Sequence, residues 1–181
     1  KDSVLTLYGL PICWNENNQL SADLINIYIK NQTVDYMHGI GNGLMVKQDG
    51  QNEYNQMAGK EMLAYVRNED VYLVDVQGNA ETVFYPKEDD GSYVGVNRTQ
   101  SSFVKVYLNE RKIDHVLFTT ATTGELIPMN QALPEETKLN GFFWAEAERL
   151  IEKCVLCIIN INGWLQVVSS RLQKISLLTA A

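Results

Sequence analysis

The sequence predicts an all-β domain built from repeated hairpins, and three observations support this prediction. A stretch that begins at Asn18 recurs at Asn55 after a shift of 37 residues, and a third copy begins at Asn97 after a shift of 42. Inside each copy, apolar and polar residues alternate with the period of two that indicates a half-buried strand. Because one hairpin cannot bury an apolar face alone, the copies are expected to stack around one interior. A short polar turn joins the two strands of each hairpin, at residues 31–32, 68–70 and 110–112.

The three copies align with few insertions. The first shift superimposes Tyr28 on Tyr65, and the Gly-Asn pair at 41–42 on the pair at 78–79, without a gap. The additional residues of the third copy fall in the polar turn at 86–91, where insertions are tolerated. A Gly-Asn pair provides backbone positions with positive φ, so we expect the chain to bend into the next layer at these points.

One face of the predicted stack is apolar in every copy, and it is the candidate site. As an ordinary core, this face would be filled by side chains. As a binding site, it would be the lumen of an incompletely closed sheet, in which each buried methylene of an acyl chain gains about 0.8 kcal/mol. The residue pattern leaves both interpretations open. The face consists of Ile25, Ile27, Ile29, Met62, Ala64, Val66, Val104, Val106 and Leu108.

Residues 146–181 are predicted to form a helical tail behind a β-repeat domain at 1–145. The segment 145–157 has helical spacing, with its apolar residues on one stripe, and we expect either one helix or two around Asn162 and Gly163. At the other end, the chain runs into a strand pattern within its first residues, which we interpret as a start trimmed of any secretory leader.

The charge of the chain limits its partners. A formal net charge of -7 disfavours attraction to phosphate backbones, so nucleic acid is not an expected partner. An anionic membrane surface would also be repelled by the average face of the protein. Any lipid is therefore expected to be held mainly through its acyl chains, in a groove.

Several short motifs occur in a defined order. Pro11 and Trp14 precede the stretch at 18–25, an Asn-Gln-Met-Ala-Gly segment follows at 55–59, and the Gly-Asn pair at 78–79 leads to Tyr85. In this order, they resemble the motifs of the OstA-like, LptA-type lipopolysaccharide-transport proteins, particularly those of the Bacteroidetes type, over about residues 5–145. The likeness ends in a closing motif of Leu126-Ile127-Pro128, Pro134-Glu135-Glu136, Leu139 and Gly141-Phe142-x-Trp144.

The resemblance implies a twisted, open β-jelly roll (β-taco) in the periplasm, which carries lipopolysaccharide or lipid A toward the outer membrane. It favours the lumen interpretation of the apolar face. Unpaired strand edges at the ends of such a stack predict edge-to-edge pairing with other OstA-like β-domains, including self-association. The competing hypothesis is a β-repeat scaffold of the cell envelope with a filled core and no lipid ligand.

No residue pattern predicts an enzyme, a metal or a cofactor. His38 and His115 lack metal-ligand spacing and are interpreted as ordinary strand positions. The pair Cys154 and Cys157 has redox spacing, but a structural zinc site needs a second pair, so two small apolar residues of a helix are favoured and a redox protein is the third hypothesis. The acidic run at 88–90 is interpreted as a solvated hairpin tip.

Three tyrosines recur at one repeat position and have two interpretations. They would form either an aromatic ladder beside the groove or, as we favour, a cross-strand cluster on the outer face. These residues are Tyr28, Tyr65 and Tyr107.

Overall fold

The fold is nearly all antiparallel β-sheet, as the sequence predicts. The structure, a computed structural model, describes residues 3–15, 17–68, 70–146, 166–168 and 174–179. Within these ranges, twelve strands join one open sheet that does not close on itself. In chain order they are β1 (Ser3–Tyr8), β2 (Ile12–Asn15), β3 (Asn18–Ser21), β4 (Leu24–Lys30), β5 (Thr33–Gln48), β6 (Tyr54–Arg67), β7 (Asp70–Phe84), β8 (Gly95–Asn109), β9 (Lys112–Thr119), β10 (Thr123–Pro128), β11 (Gln166–Val168) and β12 (Lys174–Thr179).

The long strands β5 to β8 bend and so divide the sheet into two layers. Their pairing register breaks between residues 40 and 43 in β5, 58 and 61 in β6, and 77 and 80 in β7. On one side of the bends, the first layer runs in the order β12, β1, β4, β5, β6, β7, β8, β9. On the other side, the second layer runs in the order β11, β2, β3, β5, β6, β7, β8, β10. One apolar core includes buried residues of both layers, so the two layers face each other.

The bends of β5 and β7 lie at residues whose backbone has positive φ. Gly41 and Asn42 have φ of 73° and 47°, and the pair at 78–79 has 76° and 53°. A side chain at Gly41 would collide with the carboxylate of Asp23, which accepts a hydrogen bond of 3.0 Å from the Asn42 amide. In the third copy, the equivalent pair is Thr120 and Ala121, with φ of 65° and 49°, and there the chain crosses from β9 to β10. The three pairs are therefore separated by the same 37 and 42 residues as the sequence copies.

The tail differs from its prediction where it is described. Residues 166–168 and 174–179 are the strands β11 and β12, so the helical prediction is wrong for them. These strands pair with β2 and β1, because an edge strand offers a row of unpaired backbone groups that another extended segment can satisfy. The predicted helix at 145–157 lies almost entirely outside the described residues, as do Asn162 and Gly163.

Residues 129–146, called the strap, cross the outer face of the second layer. Three side chains at equivalent repeat positions, Gln19, Gln56 and Arg98, hold its backbone. They lie in one cross-strand row, on the face opposite the core, because successive side chains of a strand point to opposite faces. The contacts are Gln19 Nε2 to Phe143 O (3.1 Å), Ala145 N to Gln19 Oε1 (2.9 Å), Gln56 Nε2 to Thr137 O (2.8 Å), Leu139 N to Gln56 Oε1 (2.8 Å), and Arg98 Nη1 to Glu136 O (2.8 Å) and Lys138 O (3.1 Å).

Candidate functional site: a groove between the layers

A cavity of about 340 Å³ lies between the two layers. This volume falls at the lower end of the roughly 300–1,000 Å³ typical of small-molecule sites. Apolar side chains dominate both walls. The first layer contributes Met37, Ala64, Val71, Val74, Val106, Leu108, Ile113, Val116 and Phe118, and the second contributes Cys13, Leu20, Met45, Met57 and Phe84.

The lining of the cavity extends across five strands of the first layer. Its wall in the first layer runs from Met37 in β5, through β6, β7 and β8, to Val116 in β9. Four gaps between these five strands, at about 4.8 Å each, correspond to a length of about 19 Å. A chain-like ligand can therefore lie across these strands within the cavity.

Burial decreases from the bends toward the rim of the groove. Met62 and Val104, next to the bends, are 0% exposed, whereas Leu108 is half-buried. On the edge strand β9, Ile113 and Val116 line the cavity and are 39% and 37% exposed. The groove is thus filled at its base and open at the rim and at β9.

All nine residues of the predicted apolar face lie on the inner face of the first layer, in β4, β6 and β8. They divide into two groups. Six belong to the packed core or lie against it without lining the cavity, namely Ile25, Ile27, Ile29, Met62, Val66 and Val104. Three line the cavity, namely Ala64, Val106 and Leu108. Binding of lipid by these residues stays a prediction.

Sequence analysis missed the opposite wall of the cavity. Leu20 and Met57 lie there at equivalent repeat positions, 37 residues apart, directly after the Asn-Gln pairs. Their recurrence was the signal that could have identified them. Met37, Val71 and Val74, on the return strands of the first layer, were missed as well. A register shift in β7 disturbs the period of two on that strand.

Polar side chains line the rim of the groove. In the second layer, Asn18, Lys47 and Asn55 are cross-strand neighbours in one row. In the first layer, Arg111 Nε donates a hydrogen bond of 2.7 Å to the carboxylate of Asp70. The groove therefore combines an apolar interior with polar and charged groups at its opening.

Cys13 contributes an inert thiol to the cavity wall. It is 3% exposed and forms no disulfide, and burial raises its pKa from 9.0 to about 12. The neutral thiol acts as a small apolar group. The pair Cys154 and Cys157 lies outside the described residues.

The recurrent tyrosines lie on the outer face of the first layer, away from the groove. Tyr28 stacks on Tyr36 with ring centroids 4.1 Å apart, and Tyr107 stacks on His115 at 4.3 Å. Tyr65 continues the row at 5.6 Å from Tyr36. These contacts agree with the interpretation as a cross-strand cluster.

The remaining polar candidates are dispersed. His38 shares a hydrogen bond of 2.8 Å with Glu61 on the outer face. The acidic turn bonds to itself, since the Ser92 hydroxyl and the Ser92 N–H both donate to Asp90 and so lower the pKa of that carboxyl. Among the described residues, no group of three or more acidic, histidine or cysteine side chains could hold a metal ion, and no helix is long and apolar enough to cross a membrane.

No family model, curated protein or solved structure matched the chain in the comparisons with known proteins.

Proposed function

We propose that this protein is a non-catalytic, periplasmic component of lipopolysaccharide transport, and that it holds acyl chains in the groove between its layers. The observation that carries this proposal is the cavity between the layers, which is apolar on both walls and open at β9. The finer description of the fold, a repeat-built and incompletely closed jelly roll of the OstA-like type, is part of the same proposal.

The hydrophobic effect supplies the driving force. Each methylene transferred from water gains about 0.8 kcal/mol, so ten buried methylenes gain roughly 8 kcal/mol before the loss of chain freedom is counted. A lipid chain can enter the groove without local unfolding of the protein, because Ile113 and Val116 are already exposed to solvent. Sugars and phosphates of the lipid remain in water while the chains slide between the layers.

The edges of β9 and β10 support transfer between domains. In the described part of the chain, each of these strands pairs with β8 alone. Their free backbone groups can pair with another β-domain, which would extend the groove across the junction. A bridge of such domains would pass lipid without any covalent step.

The test compares two neighbouring residues of β9 that are both solvent-exposed. Val116 lines the cavity, whereas Leu117 points to the opposite face and is 49% exposed. A carboxylate at either site remains hydrated, so both Val116→Asp and Leu117→Asp should fold. Ile27 is unsuitable, since it is 0% exposed and a buried charge there would unfold the domain under any function.

Native mass spectrometry of the purified protein with lipid A should show a saturable one-to-one adduct. Val116→Asp should weaken this adduct at least tenfold, and Leu117→Asp should leave it unchanged. Absence of an adduct in the parent protein, with circular dichroism showing intact sheet, would refute lipid binding.

The scaffold hypothesis has one observation in its favour. The rows beside the bends are completely filled, with Ile25, Met62, Val76 and Val104 all at 0% exposure. A scaffold would bind no lipid in the experiment above and would still associate through its edges in sedimentation analysis.

A further inference from the structure

We propose that Lys47, together with the amide of Asn55, binds the acidic group of the lipid, a phosphate or a carboxylate, at the rim of the groove. This inference rests on the proposed function and adds a charge preference to it. The apolar walls of the cavity would hold the chain, and Lys47 would select lipids that carry negative charge close to the chain.

Position is the first argument. Lys47 follows Met45 by two residues in β5, so both side chains lie on the inner face of the second layer. Met45 belongs to the apolar wall, and Lys47 lies one row closer to the opening, between Asn18 and Asn55. The groove is open along this rim as well as at β9, so the head of a lipid can lie at this row while its chain extends across the strands toward β9.

The second argument is the absence of a counterion. Near the opposite rim, Arg111 is neutralised by Asp70 at 2.7 Å, and elsewhere Lys87 pairs with Asp49 at 2.7 Å. Within the part of the chain that the structure describes, the side chain of half-buried Lys47 forms no ion pair or hydrogen bond. An ammonium group at the mouth of an apolar cavity is poorly compensated, and a bound anion would stabilise it.

The third argument is a pre-oriented donor beside Lys47. The backbone N–H of Tyr85 donates a hydrogen bond of 2.9 Å to Asn55 Oδ1, which fixes the orientation of the amide. The Asn55 Nδ2 group then has no hydrogen-bond partner among the described residues. Lys47 and Asn55 are direct cross-strand neighbours, with Cβ atoms about 5 Å apart, so one anion can accept from both.

The net charge of the protein indicates that the anion arrives attached to a chain. At -7, the protein repels free anions, and one lysine with one amide does not overcome this over a distance. Burial of an acyl chain supplies the affinity that the charge pair lacks. An acidic lipid is therefore expected to bind, whereas inorganic phosphate alone is not.

The experiment measures dissociation constants for four probes that differ in charge. Palmitic acid and palmitoyl lysophosphatidic acid carry an acid group, 1-palmitoylglycerol has the same chain without charge, and inorganic phosphate has no chain. Wild-type protein should bind both acids about tenfold more tightly than the neutral lipid, the effect of one charge-assisted hydrogen bond. Phosphate should not bind at millimolar concentration.

Variants of Lys47 test whether this residue causes the preference for acidic lipids. Lys47→Met keeps the alkyl stem and removes the charge, so it should lose about tenfold in affinity for the acids and nothing for the neutral lipid. Lys47→Arg should retain the preference. Lys60→Met makes the same charge change at an exposed position beside the bend of β6, away from the rim of the groove, and serves as the control, with all affinities unchanged.

Two failures can be told apart. If all three lipids bind and Lys47→Met keeps the ratio between acidic and neutral lipids, the charge preference is refuted while the proposed function stands. If wild-type protein binds none of the lipids, the neutral one included, the proposed function is refuted and this inference with it.

Discussion

Replacing Gln56 by leucine is expected to loosen the strap from the second layer. Gln56 is 1% exposed, and its amide bonds to two backbone groups of the strap, Thr137 O and Leu139 N, both at 2.8 Å. Its Nε2 also donates to Tyr54 O at 2.9 Å. Leucine fills a similar volume but provides neither the donors nor the acceptor.

The size of the effect follows from the groups left behind. The N–H of Leu139, a residue that is 4% exposed, would lose its acceptor, and an unsatisfied buried group costs about 1–3 kcal/mol. The two carbonyls lose hydrogen bonds that contribute about 0.5–1.5 kcal/mol each, and burial of the leucine offsets part of the sum. We expect a net loss of about 3 kcal/mol, which lowers Tm by about 6–12 °C in a protein of this size.

Urea unfolding followed by circular dichroism measures this loss, and hydrogen exchange locates it. Amide protection in the strap, at Leu139 above all, should fall at least tenfold more than in β1 or β4. Gln100→Leu is the matched control, because Gln100 lies in the same layer and is exposed. It should change stability by less than about 0.5 kcal/mol.

A loss below about 1 kcal/mol for Gln56→Leu, with the strap amides as protected as in the wild type, would refute the argument. Such a result would mean that the strap is held by its apolar contacts alone. The equivalent hydrogen bonds between Gln19 and the strap would then have to be reinterpreted in the same way.

Four further predictions concern the bends and the cavity. Thr120→Gly should raise the free energy of unfolding by about 0.5–1 kcal/mol in urea titrations, because Thr120 is exposed and holds a φ of 65° that strains a β-branched residue; a loss of stability would contradict this. Gly41→Ala should lower it by at least about 1–2 kcal/mol, because the new methyl group adds a clash with the Asp23 carboxylate to the cost of positive φ. The thiol of Cys13 should resist iodoacetamide at pH 8 in peptide-resolved mass spectrometry, because a pKa raised to about 12 keeps it neutral, and it should react readily in urea. The same raised pKa predicts that the contribution of Cys13 to stability is complete below pH 9 and is lost as the pH rises toward 12, and rapid native labelling at pH 8 would refute both statements.

The strands and bends of this protein were predictable because their signals are local. Alternation of apolar residues identifies a strand and its inner face over five or six positions, as in β4 and β6. The Gly-Asn pair at 41–42 marks a bend because few other residues tolerate its backbone angles. The tail was less predictable, since β11 and β12 form by pairing with β2 and β1, about 150 residues earlier in the chain.

The candidate site was predictable only in part. Alternation placed Ile27 and Val106 on one face, but burial separates them, because Ile27 belongs to the filled core and Val106 borders the cavity. The sequence of a single strand does not distinguish a core residue from a residue that lines the cavity. It depends on how far the second layer stands from the first at each row.

By itself, the sequence determined the all-β class, the hairpin turns, the bends at the two Gly-Asn pairs and the inward-pointing side chains of β4, β6 and β8, since each depends on residues close together in the chain. Only the tertiary structure decided which inward rows are core and which line a cavity, and which polar residues support the second layer. Gln56 shows the reason, because its partner Leu139 lies 83 residues away, and contacts at such a separation depend on the packing of the whole sheet.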